Sequence, residues 1–183
     1  MQRIKRIEQS TAVGKTAKLF ETIKSQMGMV PNVLSTIAQS SAALEGYLGF
    51  SSSLNNGELS PQIREQIALG TAGVNRCDYC ASAHSLMARN AGLSQQEVDG
   101  NLAGRSDELR TQRALTFVSR VLTERGNITD EDLTDIRDAG FSEAEIVEIV
   151  ANTVLNVFTN YFNHIARTTI DFPEVTTIDL NIV

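Results

Sequence analysis

Two cysteines occur in this chain of 183 residues, and they stand three apart in the run Cys77-Asp78-Tyr79-Cys80. Chance placement of a cysteine pair gives that spacing on the order of one time in ninety, so the pair asks for a chemical explanation. A thiol attacks a peroxide or a disulfide only as its thiolate. A working site must therefore lower the thiol pKa from about 8.5 and hold a second thiol within reach to resolve the product. Cys77 and Cys80 fall at a loop-to-helix junction, where they can close a small disulfide and where the helix N-terminus favours negative charge on sulfur. His84 lies at i+4 from Cys80, on the same helix face one turn on, where an imidazole can take the thiol proton. Tyr79 more often packs than reacts in such a place, although its hydroxyl could donate a hydrogen bond beside Cys80 or pass a proton.

Glu65 joins this set through the geometry of two helices. It lies eight residues before Gly73, and His84 lies eight after Arg76. Folding the two helices antiparallel about residues 73–76 brings the two positions level, each roughly 12 Å from the turn at about 1.5 Å per residue. The carboxylate then orients the imidazole and supports its charged form, and the imidazole poises Cys80 as thiolate. Each residue alone has a plainer reading: cysteine as a small core hydrophobe, histidine as a satisfied polar group, glutamate as a solvated helix residue. The joint pattern is what points to redox chemistry.

The elements that must position these residues read as helices, with few of the alternating β-branched and aromatic runs that strands need. The expected class is all-α, one domain over 1–183 with a loose N-terminal arm over about 1–15 and an extended tail over about 172–183. Helices are expected over 16–27, with Gly28 as its stop, over a short stretch with Pro31 in its first position, and over 42–54. Ser60-Pro61 starts the helix that carries Glu65, residues 73–76 interrupt it, and a further helix over 78–91 carries His84. Ser94 and Glu97 form a capping box, as do Ser142 and Glu145. Between them lie helices over 109–125 and, capped by Thr129, to 138. The last helix, from the second capping box to about residue 169, is apolar almost all round. That places it centrally or at a subunit contact. Asn152, Asn156, Asn160 and His164 recur along it at i, i+4 as a polar stripe, either a satisfied network or a cavity lining.

Sixteen basic against 22 acidic side chains, a net charge of −6, disfavour a nucleic-acid surface. No secretory signal follows the basic start Met1-Gln2-Arg3-Ile4-Lys5-Arg6, and no apolar run reaches the roughly 18 residues of a membrane span. A cytoplasmic protein is expected, and in a reducing compartment a lone cysteine pair is more often catalytic, redox-sensing or metal-binding than structural. Two alternatives stand beside thiol catalysis. One is zinc held by Cys77, Cys80, His84 and Glu65, which lacks the second cysteine knuckle that such sites use. The other is a non-catalytic redox sensor.

Glu65, Cys77-x-x-Cys80 twelve residues later and His84 after three more resemble the signature of the alkylhydroperoxidase D-like proteins of the carboxymuconolactone decarboxylase superfamily. Pro31-Asn32-Val33-Leu34, Leu59-Ser60-Pro61 and Asn160-Tyr161-Phe162-Asn163-His164 leading to Asp171-Phe172-Pro173 are similar as well, so the likeness spans residues 29–173. The resemblance implies a helical bundle whose two-helix hairpin carries the CxxC pair. It makes Cys80 the peroxidatic cysteine, Cys77 the resolving one, and Glu65 with His84 the proton relay. A small-molecule hydroperoxide as substrate, an external dithiol or protein reductant and a homo-oligomer, trimeric or hexameric, come with it; no bound cofactor is required. The family's best-known peroxidase has a second histidine immediately before the second cysteine, where this chain has Tyr79. Members that lack the cysteines include a lactone decarboxylase, an activity that the two cysteines here turn away from.

Overall fold

The computed structural model describes residues 1–177, and every regular element among them is helical. A short 3-10 turn, Gln9–Thr11, precedes α1 (Gly14–Met27), α2 (Asn32–Ile37), α3 (Ser41–Asn55), α4 (Pro61–Asn75), α5 (Asp78–Asn90), α6 (Gln95–Leu102), α7 (Leu109–Thr123), α8 (Asp130–Asp138) and α9 (Glu143–Ala166). Local chemistry sets most of these boundaries. Gly28 ends α1 in the left-handed region at φ 76°, which costs glycine nothing. Ser60 caps α4 by accepting from the Ile63 amide, with Pro61 in the first turn. The capping boxes at Ser94 and Ser142 are both formed, and Thr129 makes a third with Asp132. Pro31 sits one place outside the position expected of it, as the N-cap of α2.

α4 is the centre of the bundle. Ile67, Leu69, Ala72 and their neighbours over 66–73 are buried on all sides, and α5, α6, α7 and α9 pack around them. Leu69 and Ala72 join one apolar cluster with α1, α2, α5 and α6, whereas Ile63 and Ile67 join a second with α7, α8 and the start of α9. Small residues let the neighbours come close: a Cβ on Gly70 would stand 2.8 Å from Leu115 Cδ2 of α7. Gly73 does not interrupt the helix. α4 continues to Asn75 and ends at Arg76, itself left-handed at φ 54°.

The N-terminal arm, expected to be loose, is tied down. Arg3 N donates to Ala166 O at 2.7 Å, Ile7 N to Ser35 O at 2.9 Å, and Arg6 to Asn32 Oδ1 at 2.7 Å. Extended backbone that borrows hydrogen-bond partners from finished helices leaves no period for a sequence pattern to show. The tail straps α5 from outside: Val175 N donates to Ser82 Oγ at 2.9 Å and Thr177 N to Asp78 Oδ1 at 2.8 Å. Residues 178–183, the rest of the expected extended tail, lie outside the described residues.

One buried knot joins α2, α5 and the tail. The Tyr79 hydroxyl donates to Asp171 Oδ1 at 2.7 Å and accepts from Val33 N at 3.1 Å, while Asn32 N donates to Asp171 Oδ2 at 2.8 Å. The ring edge meets Phe172 at 5.7 Å between centroids. Tyr79→Phe strands a buried amide and a carboxylate oxygen, so it is expected to lower stability by about 1–3 kcal/mol. A urea titration reads this as a lower midpoint at unchanged slope; an unchanged midpoint would show the knot to be dispensable.

Candidate active site

The two-residue link Arg76-Cys77 folds α5 back along α4. Cys77 is the N-cap of α5, and its sulfur accepts from Cys80 N at 3.3 Å. The Cys77 and Cys80 sulfurs are joined in a disulfide with Cα atoms 5.3 Å apart, within the roughly 4.4–6.8 Å that such a bond spans. One turn further along α5, His84 Nδ1 lies 2.8 Å from Glu65 Oε2 of α4. The hairpin thus brings level the two positions that counting from the turn had paired. A carboxylate on Nδ1 keeps the proton there and leaves Nε2 as the basic nitrogen.

Both sulfurs are buried, but they face different surroundings. Cys80 lines a cavity of about 740 Å³ between α1, α2, α3, α4, α5 and α9, and Glu65 and His84 line it too; Cys77 does not. Leu34, Leu48, Met87, Leu155 and Phe172 supply apolar wall. Tyr79 also borders the cavity, but its hydroxyl is engaged by Asp171 and Val33 rather than by sulfur. Burial, and then the hydrogen bond to Asp171, push its phenol far up, so the hydroxyl keeps its proton. No group of three or more histidine, cysteine, aspartate or glutamate side chains among the described residues is arranged to hold a metal ion. No helix of the described residues is long and apolar enough to cross a membrane.

Two cavity residues escaped the sequence reading. Tyr47 of α3 lines the wall, and burial, with the nearby Glu65 charge adding to it, pushes its phenol up to about 12. Nothing in the local pattern around Tyr47 marks it. Asn163 of α9 donates from Nδ2 to Cys80 Sγ at 3.3 Å. The polar stripe splits: Asn152 and Asn156 run on through Thr159 to Asn163 along the cavity, Asn160 is buried away from it and accepts from Asn75 Nδ2 at 3.0 Å, and His164 faces outward. At about 100° per residue, each i+4 step drifts about 40°, so three steps carry His164 roughly 120° off the row. Eleven residues bring Asn163 back within about 20° of it. A search at i+11 rather than i+12 finds Asn163.

Residues 41–124, which hold Glu65, both cysteines and His84, match the model of the carboxymuconolactone decarboxylase family. No curated protein matches the chain. Among solved structures, an uncharacterized peroxidase-related protein from Silicibacter sp. TM1040 superposes with a TM-score of 0.78 at 24% identity, over 92% of this chain and 94% of that one. The alkylhydroperoxidase AhpD core of an uncharacterized peroxidase-related protein from Ralstonia eutropha JMP134 gives 0.84 at 20% identity, over 93% and 92%. The debrominase Bmp8, as a cysteine-to-alanine variant with 2,3,4-tribromopyrrole, gives 0.79 at 19% identity, over 92% and 91%. The segment that carries the dithiol hairpin is thus a carboxymuconolactone decarboxylase family match, and the chain around it has the alkylhydroperoxidase D-like fold.

Proposed function

We propose that this chain is a thiol-dependent peroxidase that reduces organic hydroperoxides, with Cys80 as the attacking sulfur, Cys77 as the resolving one and Glu65 with His84 as the proton relay. The observation that carries this reading is the difference between the two sulfurs: Cys80 opens on the cavity beside the hydrogen-bonded Glu65–His84 pair, and Cys77 does not. His84 takes the Cys80 proton, and the thiolate attacks the distal oxygen of ROOH. The O–O bond breaks, Cys80 becomes a sulfenic acid, and the alkoxide leaves as ROH with the proton from His84. Cys77 then displaces hydroxide from that sulfur as water, forming the disulfide. An external dithiol, small or protein-borne, returns both thiols, so no bound cofactor is needed. A cytoplasmic location, where such reductants are kept, is part of the same reading. The apolar wall suits a hydrocarbon tail on the hydroperoxide.

A second reading draws on the debrominase fold and the same cavity. Two thiols can remove a halogen from an aromatic ring, Ar–Br plus two thiols giving Ar–H, HBr and the disulfide. The electron count is that of the peroxidase cycle, and only the electrophile differs.

Stopped-flow mixing of the reduced protein with cumene hydroperoxide at pH 7 is expected to show oxidation at least a hundredfold faster than a free thiol. Cys80→Ser is expected to abolish it. Cys77→Ser should allow one turnover and leave a sulfenic acid that dimedone traps. A wild-type rate equal to that of a free thiol, or equal and mild losses in both variants, overturns the assignment. Bromide release from a bromopyrrole with no reaction toward hydroperoxide would favour the second reading.

We propose in addition that the chain works as a homo-oligomer, with trimer or hexamer favoured by the family resemblance. Support comes from α9, whose outer face carries Val147, Val150, Val154, Phe158, Tyr161 and Ile165 at intervals of three and four, the spacing of a helix-pairing seam. Val147, Val154 and Ile165 are 67%, 54% and 61% exposed in the single chain. Burying each large side chain of this kind contributes about 1.5–3 kcal/mol. Light scattering after size-exclusion chromatography should give a multiple of the chain mass at micromolar protein, and Val154→Glu should shift it toward monomer. A monomeric wild type would remove the proposal.

A further inference from the structure

Along the polar row of α9, most residues spend their donors on their own helix. Asn152 Nδ2 donates to Glu148 O at 2.8 Å, Asn156 Nδ2 to Asn152 O at 2.9 Å, and Thr159 Oγ1 to Asn156 O at 3.0 Å. Asn163 differs. Its Nδ2 reaches across to α5 and donates to Cys80 Sγ at 3.3 Å, with Asn163 only 6% exposed and Cys80 only 3%. A disulfide sulfur has no proton to give, so the N–H end of the amide is the end that can bond it. The other end, Oδ1, is buried with no hydrogen-bond partner among the described residues, although Asn163 lines the cavity. A buried polar atom left unpaired is costly and asks for a reason. Here the reason lies in the cavity, where a bound molecule can complete the pairing.

We infer that Asn163 is a catalytic residue of the proposed peroxidase reaction, its Nδ2–H stabilising the Cys80 thiolate and its Oδ1 accepting the O–H of the incoming hydroperoxide. This rests on the reading given under Proposed function. A thiolate accepts an N–H far better than a thiol does, so the bond strengthens when Cys80 loses its proton, which favours the charged form. Holding the hydroperoxide by its O–H puts the distal oxygen beside the sulfur that attacks it. One side chain then sets both reacting atoms. The displacement itself is unchanged: the distal oxygen ends on sulfur, and the alkoxide leaves with the proton that His84 carries.

Several ionisable groups line the same cavity as Cys80 and set the charge around it. Arg64 and Glu65 line the cavity from α4, Tyr79 and His84 from α5, and Glu45 and Tyr47 from α3. The cavity-facing residues of α1, α2 and the tail carry no ionisable group, and α9 brings only Asn152, Leu155, Asn156, Thr159 and Asn163. A change at Asn163 therefore alters a hydrogen bond to sulfur without altering the charge around it.

The test uses the full chain, reduced, with iodoacetamide labelling of the Cys80 peptide read by mass spectrometry across pH. In Asn163→Leu the labelling midpoint is expected to rise by about one pH unit, close to tenfold less thiolate at neutral pH. Asn163→Ser, smaller and still able to donate, is expected to recover part of that shift. With cumene hydroperoxide, Asn163→Leu should also raise KM at least fivefold at a pH above its own labelling midpoint, where thiolate is no longer limiting. An unshifted labelling midpoint in folded Asn163→Leu, or in Asn163→Ala should the leucine variant not fold, overturns the donor role, whether or not the wild type consumes peroxide. A shifted midpoint with unchanged KM above it overturns the acceptor role. A wild type inert to hydroperoxide overturns the function proposed above and the acceptor role with it, while the labelling shift still decides the donor role.

Discussion

The 2.8 Å contact between His84 Nδ1 and Glu65 Oε2 exists because α4 and α5 reverse direction over two residues. Had the link been longer, the pair would slide out of register, since one residue along a helix is about 1.5 Å and a hydrogen bond tolerates only a few tenths of an ångström. Arg76 makes the reversal by adopting the left-handed region, and Cys77 starts the next helix by lending its sulfur as the cap. The same two residues therefore terminate α4, open α5, hold one sulfur at the helix N-terminus and set the distance between carboxylate and imidazole. Fold and site share one constraint.

The rest of the bundle holds that hairpin still. Residues 66–73 of α4 are buried because α5, α6, α7 and α9 pack around them, and small residues such as Gly70 let these helices approach. α9 crosses beside α5 and carries Asn163 to within 3.3 Å of Cys80. On the far side of α5, the tail binds Asp78 and Ser82, and the Tyr79–Asp171 knot fixes the first turn to α2. Cavity walls thus come from six helices and the tail while the dithiol belongs to one, so the cavity's shape can vary with the walls without disturbing the sulfur geometry.

Much of this was legible in the residues. Capping boxes at Ser94 and Ser142 are short-range chemistry, and they form as read. The Glu65–His84 pairing was legible because a tight helical hairpin turns equal counts from the turn into spatial neighbours. Tyr79 was not: its hydroxyl partner is Asp171, 92 positions away, and only the folded chain brings that carboxylate to it. Asn163 hid behind an i+4 pattern that drifts off the helix face, and the N-terminal arm hid because extended backbone bonded to helix ends carries no periodic signal. Local rules and rigid-hairpin counting succeed; contacts between remote segments do not follow from them.

The two sulfurs are unequal in a way that bears on both halves of the proposed redox cycle. Cys80 faces the cavity and the Asn163 amide, so in the proposed reaction it is the sulfur that an oxidant or a reducing thiol would reach. Cys77 is the N-cap, and its sulfur already accepts the Cys80 amide N–H. When a reducing thiolate attacks a disulfide, the sulfur that departs must carry the negative charge, and the better-stabilised thiolate leaves faster. A helix N-cap stabilises such charge through its free N–H groups and the helix dipole. For the proposed cycle, access through the cavity favours attack at Cys80, and the helix N-cap accommodates the charge on the departing Cys77. In the oxidising half of the proposed cycle, the same cap would lower the cost of making Cys77 a thiolate that attacks a Cys80 sulfenic acid. In the proposed cycle a single asymmetry, one sulfur open to the cavity and the other capping the helix, would thus serve bond formation and bond cleavage alike.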